Sequence, residues 1–196
     1  MIHLHPGDYL VMPWKAGGGV TTELAIAPHG ATLADPFLWR LSSARVEASG
    51  PFSRFPGHQR ELALLDGGGF DLDVGGRWLR LEEFTAPVRF SGDEMTTATL
   101  LRGPSVDLGL IWDPARIRAE LATHRLETEP LPVAPAPTTL LVAPRGGIRV
   151  EPQGPALAAM DTLRFDGAES GSPLVLYPES PGNQAPLVVI RIWPLA

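Results

Sequence analysis

The single lysine of this chain, Lys15, stands inside the stretch Met12-Pro13-Trp14-Lys15-Ala16-Gly17-Gly18-Gly19-Val20-Thr21-Thr22-Glu23. Every other cationic side chain among the 16 Lys and Arg residues is an arginine. A compact ammonium on a flexible stem, kept in a chain that otherwise uses Arg, points to a site that wants a point charge rather than a planar fork. The glycines that follow allow positive φ or a close backbone approach to a ligand. Trp14 supplies a flat apolar wall. Further on, Trp39–Glu47 alternates, so Arg40, Ser42, Ala44 and Val46 share one face of a strand. On the next strand His58, Arg60, Leu62 and Leu64 share a face. Two arginines on neighbouring strands, with Lys15 at a glycine loop, would make a cationic pocket for a small carboxylate or dicarboxylate. Glu23 could accept from an amine or imidazole N–H, or neutralise one of the cations. Trp14, Phe52 and Phe55 would form the apolar walls. The candidate ligand-binding set is therefore Trp14, Lys15, Gly17, Gly18, Thr21, Glu23, Arg40, Ser42, Phe52 and Arg60. The competing structural reading is a tight turn at the glycines, with Arg40 and Arg60 in surface ion pairs or paired inside with Glu61 or Asp93.

Other chemistries find little support. There is no cysteine, which removes disulfides, thiol catalysis and thiolate-bound zinc. No Gly-x-Ser-x-Gly elbow occurs, and the glycine loop is no phosphate cradle, because its Lys precedes the glycines. His3 and His5 are spaced to share a strand face and could chelate, but no carboxylate falls at a clear partner spacing. His29 and His124 read as surface histidines. Three or four converging ligands cannot be assembled, so neither a metal nor another cofactor is expected. Acid–base chemistry by Lys15 with Glu23, as in a metal-free isomerase or lyase, stands as the second reading. No other catalytic residue can be assigned.

The elements that must position these residues are mostly strands. The chain has 196 residues, 44% of them apolar, with 21 Gly and 21 Pro, a punctuation that favours short strands and turns. The net charge of -6, with no basic cluster, argues against nucleic acid. No apolar run is long enough to span a membrane and the N-terminus lacks a signal-like pattern, so a cytoplasmic protein is expected. Strands are expected over 2–5, 9–12, 39–47, 60–65, 70–74, 78–81, 88–90 and 97–101, with a hairpin turn at Asp73-Val74-Gly75-Gly76. They resume over 139–143, 148–150, 156–160, 163–165, 174–177 and 187–193. One helix is expected after Asp113 and Pro114, with Ile117 and Leu121 on one face. An extended Pro-rich connector, 130–137, follows. Residues 62–94 and 139–169 repeat one order: apolar strand, glycine turn, alternating strand, second turn, and Arg-Phe-x-Gly (Arg89-Phe90-Ser91-Gly92; Arg164-Phe165-Asp166-Gly167). The expected fold is all-β, a duplicated cupin (bicupin) β-barrel or jelly roll with one short helix. Its first half is 1–112, the helix and connector 113–137, and the second half 138–196. Dimerisation is expected, since exposed edge strands tend to be covered.

Three stretches together resemble the HutD/Ves family of small bicupins: Pro13–Glu23, Trp39-Arg40-Leu41-Ser42-Ser43-Ala44, and Gly50–Gly57 with Arg60; Phe90-Ser91-Gly92-Asp93 is a looser fourth. The resemblance covers residues 9–110. It implies a link to bacterial histidine utilisation and binding of a small carboxylate or imidazole-bearing metabolite, in a sensing or regulatory role rather than an enzymatic one. The chain departs from the family pattern at Ala16 (usually Asn), Thr22 (often Arg) and Gln59 (usually acidic), and Asp107-Leu108-Gly109 replaces Asp-Phe-Asn. These departures imply a changed set of ligand contacts.

Overall fold

The computed structural model describes residues 1–14, 17–83, 85–151, 154–167, 173–180, 182 and 184–195. Its strands are β1 (Ile2–Leu4), β2 (Leu10–Pro13), β3 (Gly19–Ala27), β4 (Trp39–Val46), β5 (Gly50–Pro51), β6 (Gln59–Gly67), β7 (Phe70–Val74), β8 (Arg77–Leu81), β9 (Val88–Ser91) and β10 (Thr96–Leu100). They continue as β11 (Ser105–Trp112), β12 (Ile117–Leu126), β13 (Leu131–Val133), β14 (Thr138–Ala143), β15 (Ile148–Glu151), β16 (Ala156–Leu157), β17 (Asp161–Asp166), β18 (Leu174–Pro178) and β19 (Ala185–Pro194). Among the described residues no helix is long and apolar enough to cross a membrane.

The strands sort into two units, Tyr9–Ile117 with Leu195, and Met1–Asp8 with Arg118–Pro194. The first holds a six-stranded sheet, β2-β3-β4-β11-β6-β9, and a four-stranded one, β5-β10-β7-β8. The second holds a five-stranded sheet, β1-β17-β14-β19-β12, and a four-stranded one, β13-β18-β15-β16. The expected barrel is corrected here to open sheets. Closure requires the end strands to pair with one another, and short strands such as β9 and β16 end their sheets instead. Within each unit eight successive strands follow one pairing scheme. In the first unit β4 pairs with β11, β5 with β10, β6 with β9 and β11, and β7 with β8 and β10. In the second, β12 lies beside β19, β13 pairs with β18, β14 with β17 and β19, and β15 with β16 and β18.

The expected helix after Asp113 is a strand. Asp113 does cap a turn: its Oδ1 accepts from the Ala115 N–H at 2.9 Å, and its carbonyl accepts from the Ile117 N–H at 2.9 Å. Beyond it Ile117, Ala119 and Leu121 are buried with exposed or half-buried residues between them. Residues four apart share a face in both helix and strand, so Ile117 and Leu121 could not discriminate; Ala119 sets the period at two. Among the described residues the only helical piece is the 3₁₀ turn Pro6–Asp8. Four further strands were not expected: β5 and β13, short pieces within the Gly50–Gly57 loop and the Pro-rich connector, and β3 and β11. β11 is buried almost throughout and so does not alternate. In β3 a bulge at Leu24 breaks the alternation. The expected hairpin at Gly75-Gly76 is present, both glycines at positive φ, 57° and 90°.

In the first unit the core between the sheets includes Val46, Leu62, Leu64, Phe70, Leu72 and Phe90. Trp14 packs on its rim. The glycine stretch seats this indole. Gly17 and Gly18 take positive φ of 74° and 82°, and the Trp14 N–H donates to the Gly19 carbonyl at 3.0 Å. A Cβ on Gly19 would stand 2.9 Å from the Trp14 ring and 2.7 Å from the Arg45 carbonyl oxygen. Gly19→Ala must therefore shift backbone as well as indole, at a cost of about 1–3 kcal/mol. Urea denaturation followed by tryptophan fluorescence checks this; an unchanged midpoint would refute the seating role.

Candidate functional site

The strands of the six-stranded sheet line up three rows of side chains on one face. The pairs Arg40–Ile111 and Ile111–Arg60 make the first row, Ser42–Gly109 and Gly109–Leu62 the second, and Ala44–Asp107 and Asp107–Leu64 the third. β3 extends the second row with Glu23 and the third with Thr21. The alternation read from Trp39–Glu47 and from His58–Leu64 is thus the observed one: Arg40, Ser42, Ala44, Arg60 and Leu62 all line one cavity of about 250 Å³. Trp14, Phe52, Phe55 and Leu33 contribute apolar wall, and Asp107, Gly109 and Ile111 complete the floor.

Both arginines are buried. Arg40 donates from Nε to Glu23 Oε2 at 2.6 Å, the two side chains being only 4% and 12% exposed. Its Nη2 is buried and has no hydrogen-bond partner among the described residues. Arg60 donates from Nη1 to the Ser53 carbonyl at 3.0 Å. Its guanidinium carbon lies 5.5, 5.3 and 5.0 Å from the ring centres of Phe52, Phe55 and Phe90, a cage suited to a cation. Its Nε, like Arg40 Nη2, is buried without a partner. Burial pulls the Arg60 pKa down to about 10, opposed by the charge of Asp107 and helped by that of Arg40, so the group is still cationic at neutral pH.

Asp107 is the functional candidate that the sequence did not single out. It is buried opposite Ala44 and Leu64, and desolvation pushes its pKa up to about 7 against the pull of Arg60 and a hydrogen bond from the Ala44 N–H. The signal was present in Asp107-Leu108-Gly109, an acid two residues before a glycine inside an apolar run. Gly109 leaves room beside the arginines; a Cβ there would approach Leu62 Cδ2 to 3.0 Å.

The remaining candidates divide. Thr21 lines the cavity and accepts from the Trp14 indole N–H at 2.8 Å. Glu23 reaches the site as the partner of Arg40. Gly17 and Gly18 form the β2–β3 turn and shape the loop rather than the lining. Lys15 and Ala16 lie outside the described residues. Of the pairings weighed for the arginines, Glu61 instead takes Arg89 at 3.0 Å, and Asp93 accepts from the Gly57 N–H at 3.0 Å. Chemically, the cavity offers two half-used guanidinium groups, a carboxyl poised near neutrality and aromatic walls. That combination suits an anion with an apolar body.

Residues 7–178 match the sequence model of the HutD family. An uncharacterised 21.2 kDa protein in the hutC 3′ region of Pseudomonas putida is 40% identical over 172 residues, covering 84% of this chain and 86% of its own. Protein Ves of Citrobacter koseri is 33% identical over 55% of this chain and 56% of its own. The solved structure of HutD from Pseudomonas fluorescens SBW25, determined in a formate condition, is 29% identical and covers 100% of this chain and 99% of its own at a TM-score of 0.83. A cupin 2 conserved barrel domain protein from Leptotrichia buccalis, 9% identical, shares the fold over 93% of this chain and 92% of its own at a TM-score of 0.58.

The buried carboxyl makes stability depend on pH. Between its ordinary value of 3.8 and about 7, Asp107 holds more proton folded than unfolded, so this group's contribution falls as pH rises through that window. Melting temperatures from pH 5 to 8 should therefore decline more steeply in the wild type than in Asp107→Asn. Parallel pH profiles for the two proteins would exclude a titrating Asp107.

Proposed function

The chain belongs to the HutD family, and on that premise we propose that its Tyr9–Ile117 unit binds a small carboxylate metabolite in a sensing or regulatory role linked to histidine utilisation. One observation carries the reading: two buried guanidinium groups, Arg40 and Arg60, each keep one nitrogen without a hydrogen-bond partner among the described residues, at the same cavity. A buried unpaired donor costs about 1–3 kcal/mol, more when it is charged. A carboxylate spanning Arg40 Nη2 and Arg60 Nε would supply both acceptors. The apolar remainder of the ligand, an imidazole or a short aliphatic chain, would lie against Trp14 and Phe52. A volume of about 250 Å³ suits a metabolite rather than a peptide.

We also infer a duplicated cupin. The shared pairing scheme of β4–β11 and β12–β19 supports it, together with the repeated strand order of residues 62–94 and 139–169. The acid–base reading gains less support. Glu23, its assigned acid or base, is occupied as the ion-pair partner of Arg40.

The test is calorimetry with formate, glutamate, formylglutamate, urocanate and histidine. Arg60→Met should keep the fold, since an apolar stem fits the three phenyl rings, yet lose carboxylate affinity by at least tenfold, the loss of one charged hydrogen bond. Gly109→Val, which fills the floor, should weaken the larger ligands more than formate. At a hundred times its dissociation constant a true ligand adds about 2.7 kcal/mol of stability. Wild-type protein blind to every carboxylate, or Arg60→Met binding as the wild type does, would remove the proposal.

A further inference from the structure

A second cluster of chemistry lies in the other unit, on β1 and β17. These strands pair with His3 opposite Leu163 and Leu4 opposite Thr162, which sets His5 opposite Asp161. His3, His5 and Asp161 therefore project from one face. The Asp161 side chain is 4% exposed, and each of its oxygens meets one imidazole: Oδ2 with His3 Nε2 at 2.9 Å, Oδ1 with His5 Nδ1 at 3.0 Å. The two imidazole rings lie 4.0 Å apart, tilted by 45°. All three donor atoms fall within 4.8 Å of one another. His3 is 22% and His5 56% exposed, so water reaches the cluster from the His5 side.

We propose that His3 Nε2, His5 Nδ1 and one Asp161 oxygen form a divalent transition-metal site of the zinc and nickel class, independent of the anion cavity. Two imidazoles and a carboxylate are the donors that borderline divalent cations prefer. Bonds of about 2.0–2.1 Å in a tetrahedral site hold ligand atoms about 3.3 Å apart, so the two imidazole–carboxylate contacts open slightly while the wider separations in the cluster, all within 4.8 Å, close onto one oxygen. The fourth position faces solvent. The carboxylate is already oriented by the surrounding backbone. The Ala158 N–H donates to Asp161 Oδ2 at 3.0 Å, and the Asp161 N–H donates to the Ala158 carbonyl at 3.1 Å. Met160, in left-handed conformation with φ of 63°, forms the turn that holds it there. Such outer support is what ligating carboxylates commonly receive.

The experiment uses the untagged full chain with zinc and nickel in titration calorimetry, and with cobalt in visible absorption. One metal per chain is expected, with a rise in melting temperature. His3→Gln and His5→Gln should each weaken binding by about tenfold or more, and the double variant should lose the metal-dependent melting shift and the cobalt bands. The melting temperature of the metal-free double variant establishes that it is folded. Asp161→Asn should lose metal with both histidines intact. An absence of saturable binding by the wild type would overturn the proposal. So would a His3→Gln/His5→Gln protein that binds as the wild type does, since the metal would then sit on His29, His58 or His124.

Discussion

Placing two guanidinium groups inside a β-sandwich is the constraint around which the Tyr9–Ile117 unit is built. A buried arginine cannot escape its charge by losing a proton at neutral pH, so the fold must satisfy it. It does so in two different ways. Arg40 is held by the carboxylate of Glu23. Arg60 is held by the Ser53 carbonyl and the faces of Phe52, Phe55 and Phe90. The segment after β5 carries Phe52, Ser53 and Phe55, so its course follows from the need to enclose Arg60. Asp107 adds a third charge-bearing group whose proton is weakly held at neutrality. Because Glu23 compensates only one of the two cations, the cavity keeps a positive balance when Asp107 is protonated.

The Met1–Asp8 and Arg118–Pro194 unit shows what the same pairing scheme does without that constraint. Its inner faces carry Leu141, Ile148, Val150, Leu163, Leu176 and Val189, all buried in one apolar cluster. Leu141 stands directly opposite Val189, a pair that fills the space. Leu62 opposite Gly109 is the comparable pair of the first unit, and there the space stays open. A close-packed core tolerates few voids. A cavity lined by arginines beside a glycine is therefore a costly feature in one unit and not a consequence of the architecture.

How much of this was legible in the sequence depends on period. Arg40, Ser42 and Arg60 fall to one pocket in the sequence because Trp39–Glu47 and Arg60–Leu65 read as strands, and a period of two then fixes which side chains share a face. Asp107 does not, because residues 105–112, apolar almost throughout, are not read as a strand, so nothing places its side chain on that face. Glu23 was named, but its partner was not, since the bulge at Leu24 sets the register of β3 on β4. The helix expected around Ile117 failed because a spacing of four fits both periods. His3 and His5 were recognised as a possible chelating pair, and Asp161 was not, because it lies 156 residues from His5 in the chain. The strand pairing of β1 with β17 that joins them has no local signature.

The bulge in β3 also explains why the cavity ends where it does. Before it, Thr21 and Glu23 pair with Ala44 and Ser42 and so share the face of the cavity; after it, Ile26 pairs with Arg40 and takes that place. Ile26 then joins Phe37 and Ile111 in a buried apolar cluster against which Phe55 packs. An unbroken strand would have carried Ala25 and Ala27 onto this face instead, too small to seal it. One inserted residue thus converts a polar wall into an apolar stop. The two arginines are fixed from behind by Glu23 and Ser53 and bounded at one end by this cluster, so their remaining N–H groups are oriented before any ligand arrives. Preorganisation of that kind lowers the entropic cost of binding. Under the proposed function it would also give the cavity directional selectivity, because an anion that could not present its oxygens toward both arginines would leave at least one buried donor unpaired.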